Sequence, residues 1–238
     1  MKKAFCLLIV LFFAFQPLTG TMNGETEPVN TAGNTISVKA EKLNIADSSI
    51  SSKAAKSLTG YKICVDPGHG GTDPGAIGPT GYEEADANLD IGLRLRDLLV
   101  SDGATVYMTR TDDIYLTNRD RYTYANSTDG EILVSIHFNG STDHGLNYTQ
   151  GLYAKWKKDI NLASTIHNQL YPSLEIPDGG LLQFASGVIL KAEMPATIQE
   201  VAFISNTTEC GLLTNGTGER QEQIAQLLYS GINEWFAG

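Results

Sequence analysis

The sequence predicts an α/β sandwich: a single domain in which a mixed, mainly parallel sheet carries helices on both faces. Three observations predict it. Strand-like and helix-like blocks alternate from Tyr61 onward, a pattern that closes into layers of helix, sheet and helix. Ile132-Leu-Val-Ser-Ile136 is almost continuously apolar, as a strand covered on both faces must be. No internal repeat or low-complexity tract interrupts the pattern, and 238 residues at 42% hydrophobic content suffice for one sizeable core.

Residues 62–65 form a short apolar run that ends in Asp66-Pro-Gly68, a buried strand entering a tight turn. Across 84–99, Leu89, Leu93, Leu95, Leu98 and Leu99 recur at near-helical spacing, and Gly103 stands where a helix stop belongs. A second strand is expected over 104–109. Thr117 is a suitable N-cap for a helix that runs through Tyr124 and Ala125. Residues 131–137 are the third strand and 151–156 the fourth, followed by a helix over about 160–170. Residues 188–192 and 196–204 read as two further strands, and a helix from about 219 to 236 closes the chain.

Before the domain come two segments of different character. Lys2 and Lys3 precede an apolar block from Ala4 to Phe15, then Pro17 and the small or polar Thr19, Gly20 and Thr21. Residues 1–21 therefore read as a secretory signal peptide, since the block is too short for a membrane anchor. Residues 22–57 hold no aromatic side chain and show no period, as expected of a solvated tether. The globular domain is expected over 58–238, in an exported bacterial protein without a stable membrane span once the signal is removed, and monomeric. Asn139 opens one of several Asn-x-Ser/Thr sequences, where a glycan would sit beside His137, so bacterial export is the simpler reading.

Charge narrows the partners. The whole chain carries −10, and from Leu58 onward 11 Lys and Arg face 23 Asp and Glu, a net of −12. Nucleic acid is excluded as a partner, because phosphate binding needs a basic surface. Cys6, Cys64 and Cys210 are too few for a disulfide scaffold or a cysteine-rich zinc ribbon. Cys64 is expected as an inert buried thiol, with a Cys64–Cys210 disulfide left open.

Chemistry concentrates at strand ends. His69 lies in Asp66-Pro-Gly-His-Gly-Gly71 and His137 in Ser135-Ile-His-Phe-Asn139. Functional groups of open α/β sheets collect at the carboxyl ends of strands, which suits both histidines to ligation. Glu84, at the start of the first helix, can bring a carboxylate to the same edge, with the adjacent Glu83 as fallback. Three protein ligands leave one position of a catalytic zinc open. Glu200 stands between Ala196-Thr-Ile198 and Val201-Ala-Phe203, a costly place for a carboxylate without a partner. It is the candidate acid and base. His144 is expected in a loop, His167 on a helix surface, and Arg119 and Arg121 on a helix surface or in ion pairs.

Val65-Asp-Pro-Gly-His-Gly-Gly71, Gly81-Tyr-Glu-Glu-Ala-Asp-Ala-Asn-Leu89, Thr109-Arg-Thr-Asp112, Leu116-Thr-Asn-Arg119, Ala125-Asn126, Ser135-Ile-His-Phe-Asn139 and Glu200-Val-Ala-Phe-Ile-Ser-Asn206 occur in this order over about residues 60–238. Together they resemble the zinc-dependent N-acetylmuramoyl-L-alanine amidases of bacterial cell walls, the amidase type 3 catalytic domain. The resemblance implies a central six-stranded sheet, His69, Glu84 and His137 as ligands of Zn2+, and Glu200 as the catalytic carboxylate. It favours Glu84 over Glu83, because Asn88-Leu89 follows at the family's distance. Ala202 stands where the family usually has glycine. The short stretch between His137 and Glu200 leaves no room for a regulatory helical insertion, so an open groove is expected. The implied reaction cleaves the lactyl–L-alanine amide of peptidoglycan. A zinc peptidase or amidase acting on another wall-derived amide, and a catalytically inactive wall-binding regulator, are the alternatives.

Overall fold

The computed structural model describes residues 57–238; the expected signal peptide and all of the expected tether except Ser57 lie outside the described residues. Twelve elements follow one another: β1 (Lys62–Pro67), α1 (Glu84–Ser101), β2 (Thr105–Met108), α2 (Asn118–Asn126), β3 (Ile132–Asn139), β4 (Thr149–Tyr153), α3 (Trp156–Ser173), β5 (Asp178–Gln183), α4 (Gly187–Lys191), β6 (Ala196–Phe203), α5 (Thr207–Leu213) and α6 (Glu219–Ala237). The six strands form one sheet in the order β2-β1-β3-β6-β4-β5. β2, β1, β3 and β6 run parallel, and β4 turns antiparallel to β6. The predicted mixed, mainly parallel sheet with helices on both faces is what the chain forms.

Alternation along the strands sorts side chains into two layers of unequal depth. Ile132, Val134, Ile136 and Phe138 of β3 join Ile63 and Val65 in a core with Leu95, Leu99, Leu162, Ile166, Leu228 and Ile232 of the long helices α1, α3 and α6. Leu133, Cys64, Ala196 and Ile198 face the other way, onto Ala125 of α2 and Val188 and Ile189 of α4. That second face is covered by helices of only nine and five residues. It is the thin side of the sandwich, and a side chain at its carboxyl edge stays within reach of solvent.

α2 begins where Thr117 was expected to cap it: the Thr117 hydroxyl accepts from Asp120 N at 3.1 Å, and the Asp120 carboxylate accepts from Thr117 N at 3.0 Å.

Three elements differ from the sequence expectation. Of residues 188–192, read as a strand, 188–191 belong to the helix α4 and Ala192 caps it, and the sixth strand is instead β5. In the run Val188-Ile-Leu190 the first two side chains are buried and Leu190 is exposed, a one-sided pattern that a helical turn satisfies here. Asn126 Nδ2 also meets Lys191 O at 3.0 Å, supplying a partner for the end of that turn. β5 escaped notice because an edge strand covers little. Its first half is Asp178-Gly-Gly180, and Leu181 and Leu182 are exposed. α5, a short helix capped by the Asn206 side chain, carried no periodic signal.

His167 is a further correction. Expected on a helix surface, it is buried, and its Nε2 meets Asp178 Oδ1 at 2.7 Å. Its partner Asp178 is the first residue of β5, the strand that the sequence did not announce. Cys64 is buried as expected, and it and Cys210 are both free thiols, so the disulfide left open is not formed.

Candidate metal centre

The sheet places the site. After β1 the chain turns toward β2 on one side, while β3 lies on the other side of β1. The crevice between the carboxyl ends of β1 and β3 is a topological switch point, where open α/β sheets gather ligands. His69 follows β1 by two residues and His137 stands near the end of β3. Glu84 is the first residue of α1, with Glu83 outside the helix as its N-cap residue.

These three side chains meet. One potential ligand atom from each of His69, Glu84 and His137 lies within 4.8 Å of the others. His69 Nε2 is 3.2 Å and His137 Nδ1 3.0 Å from the same atom, Glu84 Oε1. Glu84, not Glu83, is the carboxylate brought to the histidines. Its second oxygen accepts from Ala76 N at 2.8 Å, and Oε1 accepts also from Phe138 N at 3.0 Å, which locks its orientation. On the far side of the His69 ring, Nδ1 meets Asp73 Oδ2 at 2.9 Å. Sequence reasoning missed Asp73, although it lies four residues from His69 in the same glycine-rich loop.

Electrostatics follow from burial and proximity. Burial favours the neutral form of Glu84, but the two imidazoles outweigh it and hold the carboxyl well below the usual range. At His69 burial opposes the charged ring, yet Glu84 and Asp73 prevail and raise it to about 9. Such a cluster attracts positive charge.

Glu200 stands directly opposite His137 in the β3–β6 ladder, so the two side chains rise on the same face of neighbouring parallel strands. Immediately after this pair β6 carries one extra residue: His137 pairs with Glu200, whereas Asn139 pairs with Phe203. Bulges of this kind re-aim side chains beside active sites. Ala202, the departure from the family's glycine, lies in this bulge and is buried. Glu200 Oε2 is buried with no hydrogen-bond partner among the described residues. Burial, assisted by the charge of Glu84 and opposed by the histidines, raises the Glu200 carboxyl to about 7.

Two glycines leave the space that a cluster of this density needs. A β-carbon at Gly68 would come 2.2 Å from the His137 ring, and one at Gly75 would come 2.5 Å from Glu84 Oε2 and 2.7 Å from His69 Cδ2. The donor set fits a zinc ion. Tetrahedral bonds of about 2.0–2.1 Å separate ligand atoms by about 3.3 Å, close to the 3.0 and 3.2 Å found here.

The remaining predicted residues divide. His144 lies in the β3–β4 loop as expected, its ring nitrogen on Ser205 O at 2.6 Å. Arg121 forms the anticipated ion pair, with Asp66 at 2.8 Å, and that pair is buried. Arg119 is exposed.

Fold and cluster define the class of the molecule: an α/β domain with a candidate metal site at the carboxyl edge of its sheet. The chain belongs to the N-acetylmuramoyl-L-alanine amidase family, whose pattern matches residues 63–234, and it is accordingly an amide hydrolase by kinship. Among its relatives, the uncharacterized protein YqiI of Bacillus subtilis is 33% identical over 188 residues, covering 78% of this chain and 89% of that one. The B. subtilis N-acetylmuramoyl-L-alanine amidase LytC is 30% identical over 207 residues, covering 86% of this chain but 40% of LytC. Among solved structures, the catalytic domain of CwlV, an N-acetylmuramoyl-L-alanine amidase from Bacillus (Paenibacillus) polymyxa var. colistinus, superposes with a TM-score of 0.70 at 29% identity, covering 74% of this chain and 98% of that domain.

Proposed function

We propose that this protein is an exported, zinc-dependent N-acetylmuramoyl-L-alanine amidase that cleaves the amide between the lactyl group of N-acetylmuramic acid and the L-alanine of the peptidoglycan stem peptide. His69, Glu84 and His137 hold the metal, and Glu200 is the catalytic acid and base. Residues 58–238 are the catalytic domain, with 1–21 as signal peptide and 22–57 as tether. The observation that carries the reading is the convergence of two imidazole nitrogens on one carboxylate oxygen, with a second carboxyl paired across the ladder from His137.

When bound, zinc supplies Lewis-acid polarisation of a carbonyl and an acidified water. The protein does the rest. Asp73 accepts the Nδ1 proton of His69, fixes the tautomer and leaves Nε2 for ligation. Backbone N–H groups of Ala76 and Phe138 keep the Glu84 carboxylate aimed. Glu200, raised to about 7, is matched to both halves of a proton relay near neutral pH: its carboxylate takes a proton from water and returns it to the departing alanine nitrogen.

Digestion of purified peptidoglycan with and without a chelator, followed by identification of the newly formed amino terminus, tests the proposal. Release of peptides that begin with L-alanine, abolished by the chelator, is the expected result. A different new terminus would point to another amide as substrate. A well-folded protein that takes up no zinc and releases nothing would be a wall-binding protein.

A further inference from the structure

We infer that Arg110 is a positioning residue for the metal centre, one whose guanidinium sets the distance between the turn that carries His69 and the helix that carries Glu84; the inference rests on the metal-site reading above. Arg110 is 2% exposed, and its hydrogen bonds among the described residues all run to main-chain carbonyls. Nε donates to Pro67 O at 2.9 Å, Nη2 to Gly68 O at 2.9 Å and to Ala85 O at 2.7 Å, and Nη1 to Asp112 O at 3.2 Å. Pro67 and Gly68 immediately precede His69, and Ala85 immediately follows Glu84. One rigid, planar group thus grips the backbone on both sides of the cluster.

A buried cation is expensive unless it is paired. Asp66, the nearby buried acid, gives its oxygens to Arg121, Ser135 and Thr109. What the guanidinium provides is a fork of fixed geometry that a lysine cannot reproduce. The turn needs such a fixture. His69 sits at φ 58°, and Gly70 and Gly71 follow at 126° and 61°, conformations that persist in a non-glycine residue only when the surroundings impose them. A β-carbon at Gly70 would lie 3.1 Å from Arg110 Nε and 2.5 Å from Ile114 O, so the turn is pressed directly onto the clamp. Arg121 completes it, donating to Pro67 O and to His69 O, each at 2.8 Å.

The test compares Arg110→Lys with Arg220→Lys in the full chain. Arg220 is also buried, bonded to Glu209 at 2.7 and 2.8 Å, and belongs to α6, outside the candidate site. Zinc affinity is measured by competition with a chromogenic chelator, and unfolding is measured on the zinc-free proteins. Arg110→Lys is expected to weaken zinc binding by about 10- to 100-fold, the loss typical of groups that orient ligands. Arg220→Lys, although destabilised, should bind zinc within twofold of wild type. Equal zinc affinity in wild type and Arg110→Lys overturns the inference. So does a loss in Arg220→Lys that matches that of Arg110→Lys. Arg110→Gln, which keeps a two-donor head, replaces the lysine variant if that one fails to fold, and failure of both means an architectural role and overturns the inference as well. Wild-type protein that binds no zinc would instead remove the metal reading itself.

Discussion

Glu84 and Glu200 are two carboxyls on the same sheet edge that their surroundings drive in opposite directions, one held well below the usual range by two imidazoles and the other raised to about 7 by burial. That division accords with the proposed roles, ligation for the first and proton transfer for the second. Glu200→Gln should therefore retain zinc but lose on the order of 10²–10⁴ in turnover, which metal analysis and peptide release on the same sample would show; wild-type turnover would remove the residue from the mechanism. Gly75→Ala should do the converse. Its β-carbon collides with Glu84 and His69, at a φ of 69° that disfavours any side chain. Zinc content should fall, with a stability loss of at least about 1 kcal/mol. The residues that converge at the site were legible in the sequence because strand ends, turns and family motifs mark them. The roles of Asp73 and Arg110 were not, although Arg110 lies in the Thr109-Arg-Thr-Asp112 motif, since they depend on which carbonyls and ring nitrogens the folded loop turns toward them.

Elements carry the site through their ends. β1 delivers Asp66, fully buried, to Arg121 of α2 at 2.8 Å. Burial raises the Asp66 carboxyl, but the Arg121 charge and hydrogen bonds from Ser135 and Thr109 outweigh it, so its folded pKa lies below its ordinary 3.8. A depressed carboxyl contributes stability that is fully present above its unfolded pKa and is lost as pH falls through its folded one. Acid titration of the wild type should show that loss below about pH 4, and Asp66→Asn should be destabilised by about 3–5 kcal/mol at neutral pH through the unpaired Arg121. Equal stability of the variant in denaturant titrations would contradict the role. Thr117→Ala, at the cap of α2, should cost about 1 kcal/mol in the same measurement. Thr117 was readable because a cap is local chemistry. The β5 and α4 assignments were not, because an edge strand with two exposed leucines lacks the burial pattern that betrays interior strands, and the fate of Val188 and Ile189 is settled by the α2 face that they cover.

Across the molecule, the sandwich is asymmetric and acidic. Long helices close one face of the sheet, and the short α2 and α4 cover the other. Fold class and the general disposition of helices were readable from the alternation of blocks and the six-stranded sheet from the family resemblance, whereas the strand order, which creates the crevice between β1 and β3, came only with the structure. The −12 carried from Leu58 onward repels anionic wall polymers over about 10 Å at 0.1 M salt. Raising ionic strength from 10 to 150 mM should therefore lower the apparent KM on intact sacculi; a rise would indicate a local basic groove that dominates the field. The most direct test of the whole account is anomalous diffraction at the zinc absorption edge from crystals of the zinc-loaded protein. The account predicts one peak within bonding distance of His69 Nε2, the Glu84 carboxylate and His137 Nδ1, and a peak elsewhere, or none, would contradict it.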